Sequence, residues 1–244
     1  MKRNHIFVLI ICVLIISVSY AGFSKAADKG RRYYEESGQV VWDINTEEKV
    51  IALTFDDGPH PKYTAEILDL LTKYEAKGTF FIIGKNAEKY PELVSREYNE
   101  GHEIANHTYT HPFKTSVPNL EVEIQKTNEI IYGITGEYPE LFRPVGGQYT
   151  DEMINAVADK GYKVVMWSWH QDTEDWKKPG ANKIVKNVLK GTQPGNVILF
   201  HDGGGNRAQT VEALGEILPE LKKQGYTFVT ISELLEMEND DNYK

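Results

Sequence analysis

A single cysteine, Cys12, occurs among 244 residues, so the chain has no internal disulfide. Its stability must come from a buried core, which a chain of this size can build. No basic run is longer than two residues, and the net charge is −9. That balance excludes a nucleic-acid partner and a polybasic membrane-surface role. Internal repeats and low-complexity linkers are missing too, which argues for one domain over residues 40–237. The last absence is a glycine-rich phosphate loop after the first strong apolar run. Residues 51–61 read IALTFDDGPHP instead. Two carboxylates at that point would repel a phosphate, so a nucleotide-binding fold loses weight.

The N-terminus is different in kind. Lys2 and Arg3 precede IFVLIICVLIISVSYAGF, and Ser24-Lys25-Ala26-Ala27 follows. A basic start, an apolar run and small residues predict a signal peptide over residues 1–26, cut after Ala26. The apolar run is long for a signal and short for a span, so an uncleaved membrane anchor is the alternative. Cys12 has further apolar residues after it and does not read as a lipidation site. Residues 27–39 read as a polar linker, and 238–244 as an acidic tail. QVVWDIN (39–45) alternates weakly and is expected to pair with the start of the next strand. The expectation is an exported monomer, extracellular or wall-associated, that meets a membrane only through an uncleaved leader.

Short β-branched runs at 50–55, 79–83, 102–105, 141–143, 163–169, 196–200 and 226–231 predict strands. Helical patterns lie between them at 64–74, 91–100, 119–132, 151–160, 181–190 and 210–224. Gly101, Gly161, Gly191 and Gly225 punctuate helix ends, and Ser232 is expected to cap a last helix over 233–237. Strict alternation of strand and helix predicts an α/β fold with a parallel sheet covered on both faces. An open doubly wound sheet and a closed barrel both satisfy it.

The chemistry-bearing residues share one address on this map. Asp56 and Asp57 follow the first of these strands, and His107 and His111 the third. Arg143 ends the fourth, His170, Asp172 and Asp175 follow the fifth, and His201 and Asp202 the sixth. In a parallel α/β barrel these strand ends converge on the face where active sites are built.

Two histidines four apart in a strand would be separated by roughly 13 Å, too far to share one ion. The HTYTH segment (107–111) is therefore expected to form a tight helical turn within a loop. His, His and Asp would make a divalent site with an open position for water. Taken alone, Asp56-Asp57 reads as an Asp-Gly turn. With the histidines in view, one carboxylate can bind an ion while the other stays free as a base. Arg143 needs a counter-ion, for which a catalytic carboxylate is suitable. The Gly146-Gly147 pair exposes backbone N–H groups that suit an oxyanion. In WSWHQDTEDW (167–176), the tryptophans could line a sugar groove or fill the core, and Asp172 or Asp175 could orient a histidine. His201, backed by a carboxylate, is a candidate general acid. His60, His102 and His170 read as local or rim residues.

These residues also carry a family pattern. TFDDGP (54–59), HTYTH (107–111), RPVGG (143–147), DTEDW (172–176) and LFH (199–201) occur in order. The chain resembles the NodB-like polysaccharide deacetylases, carbohydrate esterase family 4, from about Trp42 to Leu235. The resemblance implies a distorted parallel (β/α) barrel of about seven strands and metal-dependent N-deacetylation of a peptidoglycan or chitin-like glycan. It implies one divalent ion, zinc first with cobalt or nickel as alternatives, on Asp57, His107 and His111. Asp56 resembles the base, Arg143 its partner, His201 the acid and Asp175 the carboxylate that tunes it. Trp176 and Leu199 resemble the residues that hold the acetyl methyl, and Gly146 the oxyanion donor. Many members read Arg-Pro-Pro-Tyr-Gly where this chain has Val145 and Gly146, so an aromatic side chain is absent there. Rival readings are a xylan-type O-acetyl esterase and an inactive wall-binding module.

Overall fold

The computed structural model describes residues 29–238. The expected leader at 1–26 and all but the first residue of the acidic tail lie outside the described residues. Eight parallel strands form one sheet, in the order β1-β6-β5-β4-β3-β2-β7, with β8 also on β2. They are β1 (Val40–Val41), β2 (Val50–Asp56), β3 (Thr79–Ile82), β4 (Glu103–Asn106), β5 (Leu141–Phe142), β6 (Lys163–Val165), β7 (Val197–His201) and β8 (Thr227–Val229). The sheet curls into a distorted barrel wrapped by helices. They are α1 (Arg31–Glu36), α2 (Tyr63–Lys73), α3 (Gly84–Lys89), α4 (Pro91–Asn99), α5 (Val117–Thr135), α6 (Asp151–Ala158), α7 (Ala181–Gly191), α8 (Ala208–Lys223) and α9 (Ile231–Leu235).

The seven expected strands are present, and β1 is added. It does not pair with β2 as the alternation of 39–45 suggested. It pairs with β6, Val40 opposite Val164, and carries Trp42 into a buried cluster with Tyr34 and Phe142. Helix α1 supplies Tyr34, so this part of the expected linker is packed on the domain. The strand expected over 163–169 stops at Val165. Its continuation peels away toward β7, where Ser168 N–H donates to Val197 and Asp172 bridges Leu199. Irregular chain, not a strand pair, joins the two edges of the sheet.

Strand alternation sorts the sequence onto two faces. Ile51, Leu53 and Phe55 of β2 face the helices, with Phe80 of β3 and Ile198 and Phe200 of β7. Ala52, Phe81, Ala105, Val165 and Val197 face inward. Thr54 and Asp56 share the parity of Ala52, and His201 that of Val197. Period two alone therefore aims a carboxylate and an imidazole into the barrel mouth.

Local chemistry moves several boundaries. Thr230, not Ser232, caps α9: its hydroxyl accepts from Glu233 N–H while the Glu233 carboxylate accepts from Thr230 N–H, a capping box. Gly191 ends α7 from within, whereas Gly101, Gly161 and Gly225 take the left-handed conformation of helix stops. The short α3, unexpected from sequence, lacks an apolar period but buries Gly84 and Ala87.

Helix α4 buries Leu93, Val94 and Glu97. Neither Glu97 carboxyl oxygen has a hydrogen-bond partner. Burial pushes this carboxyl well above its ordinary value, and the Asp202 charge adds to the shift. The folded chain thus keeps a proton that the unfolded chain releases near 4.5. The stability this contributes is complete below that pH and is lost as pH climbs toward the folded value. Glu97→Gln should flatten the fall in melting temperature as pH rises above 4.5, read by calorimetry. An unchanged slope would exclude Glu97 as a contributor to that fall.

Candidate active site

The clusters expected at the strand ends do meet, in a cleft of about 600 Å³ at the barrel mouth. Asp56 closes β2 and is buried. Asp57 follows it with φ 75, in the left-handed region. Strand parity would have turned Asp57 away from Asp56; the left-handed step turns it back, so both carboxyls line one cleft. The neighbours leave no room for a different path. A Cβ on Gly203 would lie 2.0 Å from the Asp57 carbonyl oxygen, and one on Gly58 would lie 2.1 Å from Asp202 Oδ2.

The two carboxylates have separate partners. Arg143, fully buried, donates from one Nη to Asp56 Oδ1 at 2.7 Å and to Thr54 Oγ1 at 2.9 Å. Its remaining donors reach the carbonyls of Val165 and Met166 at 3.0 and 2.7 Å. Burial pulls the guanidinium's proton affinity below its ordinary value while Asp56 opposes that shift. Asp57 Oδ1 instead lies 3.1 Å from His111 Nε2 and 3.6 Å from His107 Nε2. Burial pushes the Asp57 carboxyl up, but the His111 hydrogen bond and the charges of His107, His201 and His111 outweigh it. They hold it well below the usual carboxylate range.

Asp57, His107 and His111 can hold one ion: their ligand atoms all lie within 4.8 Å of one another. Ligand bonds to zinc are about 2 Å, which sets ligand atoms roughly 3–4 Å apart in a tetrahedron. The tautomer fits as well. His107 Nδ1 lies 2.8 Å from the Arg143 carbonyl, which can only accept, so Nδ1 carries the proton and Nε2 keeps its lone pair. Burial lowers the His107 pKa, against the pull of Asp56 and Asp57, and favours the neutral ring. The route to this pair of rings is not the helical turn expected from spacing. Thr108 and His111 both take positive φ, 70 and 60, and His111 N–H donates to Thr108 Oγ1. A doubly reversed bend brings the ring centroids to 5.1 Å.

Across the cleft, His201 Nδ1 bonds Asp175 Oδ1 at 2.6 Å. Asp175 is fully buried and also accepts from His201 N–H and from Thr210 Oγ1. Burial lowers the His201 pKa, but the hydrogen bond and charge of Asp175 more than offset it, and the net shift is upward. Burial raises the Asp175 carboxyl, yet His201 brings it below its ordinary value. Of the two candidate orienting acids, Asp172 is spent on a local turn, accepting from Glu174 N–H at 2.9 Å. The carboxylate next in sequence, Asp202, does not back His201. It bonds Thr64 Oγ1, and burial pushes its pKa up to about 7, with Thr64 lowering it and Asp57 and Asp56 raising it.

Gly146, Trp176 and Leu199 line the same cleft. Gly146 takes φ 59, and among the described residues its N–H makes no backbone hydrogen bond; the turn is held from Gly147 and Gln148. Trp167 also lines it, whereas Trp169 is exposed and does not. His60, His102 and His170 hold local structure: His60 Nδ1 accepts from Lys62 and Tyr63, His102 Nδ1 from Gly78, and His170 pairs with Asn196. Sequence reasoning missed Phe113, Gln148 and Arg207 as cleft residues. Arg207 could have been suspected from its triple-glycine neighbour, whose Gly203 carbonyl it caps at 2.6 Å.

Comparison with known proteins points one way. Residues 43–165 match the family described as polysaccharide deacetylase. A peptidoglycan-N-acetylglucosamine deacetylase of Bacillus cereus is 47% identical over 210 residues, 84% of this chain and 97% of that protein. The peptidoglycan-N-acetylmuramic acid deacetylase PdaC of Bacillus subtilis is 39% identical over 82% of this chain, which spans 42% of its length. The crystal structure of the Bc1960 peptidoglycan N-acetylglucosamine deacetylase, bound to a naphthalenyl N-hydroxybenzamide, superposes with a TM-score of 0.80. It is 37% identical and covers 85% of this chain and 99% of its own.

Replacing His107 with Ala should leave dialysed protein without stoichiometric zinc in elemental analysis, because only one imidazole and one carboxylate would remain. Full zinc content in that variant would contradict the three-ligand cluster.

Proposed function

The chain belongs to the polysaccharide deacetylase family, and on that premise we propose that it hydrolyses the N-acetyl groups of N-acetylglucosamine residues in peptidoglycan, releasing acetate. One observation carries the reading. Two carboxylates delivered by one strand end are divided between Arg143 and the histidine pair, and an Asp175-backed histidine stands across the cleft. The relatives named above supply the substrate class.

A divalent ion on Asp57, His107 and His111, zinc first and cobalt or nickel as alternatives, would when bound act as a Lewis acid on the acetyl carbonyl and on water. The chain's own groups do the rest. Asp56 is held by Arg143 through Oδ1 alone, and its Oδ2 lies 3.8 Å from His107 Nε2, on the ligand side of the cleft. There it accepts a proton from the attacking water as that oxygen bonds to the acetyl carbon. The Gly146 N–H donates to the oxyanion that develops. His201 keeps Nδ1 on Asp175, so Nε2 is its acidic position. It gives that proton to the nitrogen as the C–N bond breaks, leaving acetate and a free amino sugar. Trp176 and Leu199 bound the space for the acetyl methyl.

The leader at 1–26, the domain bounds at 40–237 and an exported, wall-associated monomer belong to the same proposal. A peptidoglycan substrate lies outside the cell membrane, and among the described residues no helix is long and apolar enough to cross one.

Acetate release should be measured on N-acetylated peptidoglycan, N-acetylglucosamine oligomers and acetylated xylan, with and without chelator. Release from the first two, abolished by chelator, is expected. Release from xylan alone would move the reading to an O-acetyl esterase, and none from any glycan to a binding module. Asp56→Asn should keep the metal while turnover falls about 10²–10⁴-fold, the usual worth of a general base. Asp175→Asn makes a separate point about pH. Asp175 holds the His201 pKa above its ordinary value, so protonated acid persists to higher pH. Without it, the alkaline limb of the kcat profile should move to lower pH; an unmoved limb would remove His201 as the acid.

A further inference from the structure

The two candidate imidazole ligands are not held alike. His107 directly follows β4, and its N–H donates to the Ile82 carbonyl at 3.0 Å. Its ring is pinned a second time, through Nδ1, by the Arg143 carbonyl at 2.8 Å. His111 has no such second hold: among the described residues its ring bonds Asp57 Oδ1 through Nε2, and nothing bonds Nδ1. Its place in the site is therefore set by the backbone that delivers it. That backbone passes through positive φ at Thr108 and again at His111. A bend of this kind belongs to no helix or strand ladder, so its N–H and C=O groups need partners from elsewhere.

Two neighbouring helices supply them. Gly84 and Lys85, at the start of α3, donate to the Thr108 and Tyr109 carbonyls at 2.9 and 3.1 Å. Thr108 N–H reaches Asn106 Oδ1 at 2.8 Å, and Asn106 Nδ2 bonds the Ile124 carbonyl of α5 at 2.9 Å. At the tip of the bend, the N–H groups of Tyr109 and Thr110 converge on one oxygen, Glu123 Oε2, at 2.9 and 2.6 Å. The Thr110 hydroxyl donates to Oε1 of the same carboxylate at 2.9 Å. Successive N–H groups aimed at one point form an anion nest, and hydrogen bonds to an ionised acceptor are roughly twice as strong as neutral ones. Glu123 is firmly placed to fill that nest, because Leu120 and Ile124 on either side of it anchor α5 in the core.

We propose that Glu123 is a positioning residue for the metal site. Its carboxylate, seated on the Tyr109 and Thr110 N–H groups, fixes the bend that brings His111 to Asp57. It does not line the cleft and acts only through the loop backbone. Glu123 thereby does for His111 what the Arg143 carbonyl does for His107. This inference rests on the proposed ion at Asp57, His107 and His111, and its readout is zinc affinity, not turnover.

The full chain, stripped of metal, is titrated with zinc in competition with a chromophoric chelator, as wild type, Glu123→Ala and Glu123→Gln. Both variants should fold, because Gly84, Lys85 and Asn106 still hold the loop. Glu123→Ala should raise the zinc Kd about 10–100-fold, the usual worth of a residue that orients a ligand. Glu123→Gln keeps an oxygen for the two N–H groups and should recover most of that loss. Equal zinc affinity in Glu123→Ala and wild type would overturn the proposal. So would a Gln variant as weak as the Ala one, since the carboxylate's charge alone would then be at work. If Glu123→Ala fails to fold by circular dichroism, Glu123→Asp, one methylene short of the nest, replaces it under the same two criteria. Wild-type protein that binds no zinc would sink the metal site itself, whereas an affinity indifferent to Glu123 leaves that site standing and removes only this role.

Discussion

A fully buried guanidinium at the barrel mouth is the constraint around which the site is arranged. Taking Arg143 out of water is costly, and an isolated ion pair seldom offsets that cost. Here Asp56, Thr54 and two backbone carbonyls accept from it, and the Phe81 ring lies 3.9 Å from its carbon. Satisfying so many donors in a fixed plane demands that β2, β5 and the end of β6 keep one relative position. The same residue's carbonyl takes the His107 Nδ1 proton. Side chain and backbone of one arginine thereby orient the proposed base and fix the tautomer of a candidate ligand.

The adjacent carboxylates follow from that arrangement. Asp56 is committed to Arg143 by strand parity, and a second inward carboxylate requires a reversal of the chain at the next residue. Left-handed φ at Asp57 supplies it, at a cost in backbone energy that only surrounding packing can enforce. The close approach of Gly58 and Gly203 to this bend shows how it is enforced: neither position has space for a side chain. Sequence neighbours then differ in electrostatic surroundings, one beside a guanidinium and the other beside two imidazoles. A base and a ligand can be drawn from consecutive residues without competing for the same partner.

Much of this was legible in residue order, because period two and strand ends are local properties. Asp56, His107, Arg143 and His201 reach one mouth through the register of apolar runs alone. What was not legible depended on chain paths that leave the regular regions of backbone space. HTYTH converges through left-handed bends at Thr108 and His111 instead of a helical turn, since a threonine hydroxyl, not a helix period, holds the reversal. β6 stops early, and the carbonyls of Val165 and Met166 at its end accept from Arg143. Asp202 is next to His201 in sequence, but the turn after β7 aims it at Thr64, and Asp175, 26 residues away in sequence, is the carboxylate that bonds the imidazole. Phe113 carried no signal, since an exposed aromatic beside a proline in a loop has no period to mark it.

The dependence on Arg143 is open to direct measurement by a double-mutant cycle on urea unfolding of the metal-free protein. Asp56→Asn and Arg143→Met are made singly and together. Removing either partner leaves the other buried and uncompensated, which typically costs about 3–5 kcal/mol, whereas removing both leaves no orphan charge. The account predicts a strongly non-additive cycle, with a coupling of about 2 kcal/mol or more. Two single effects that simply sum in the double variant, within about 0.5 kcal/mol, would contradict it.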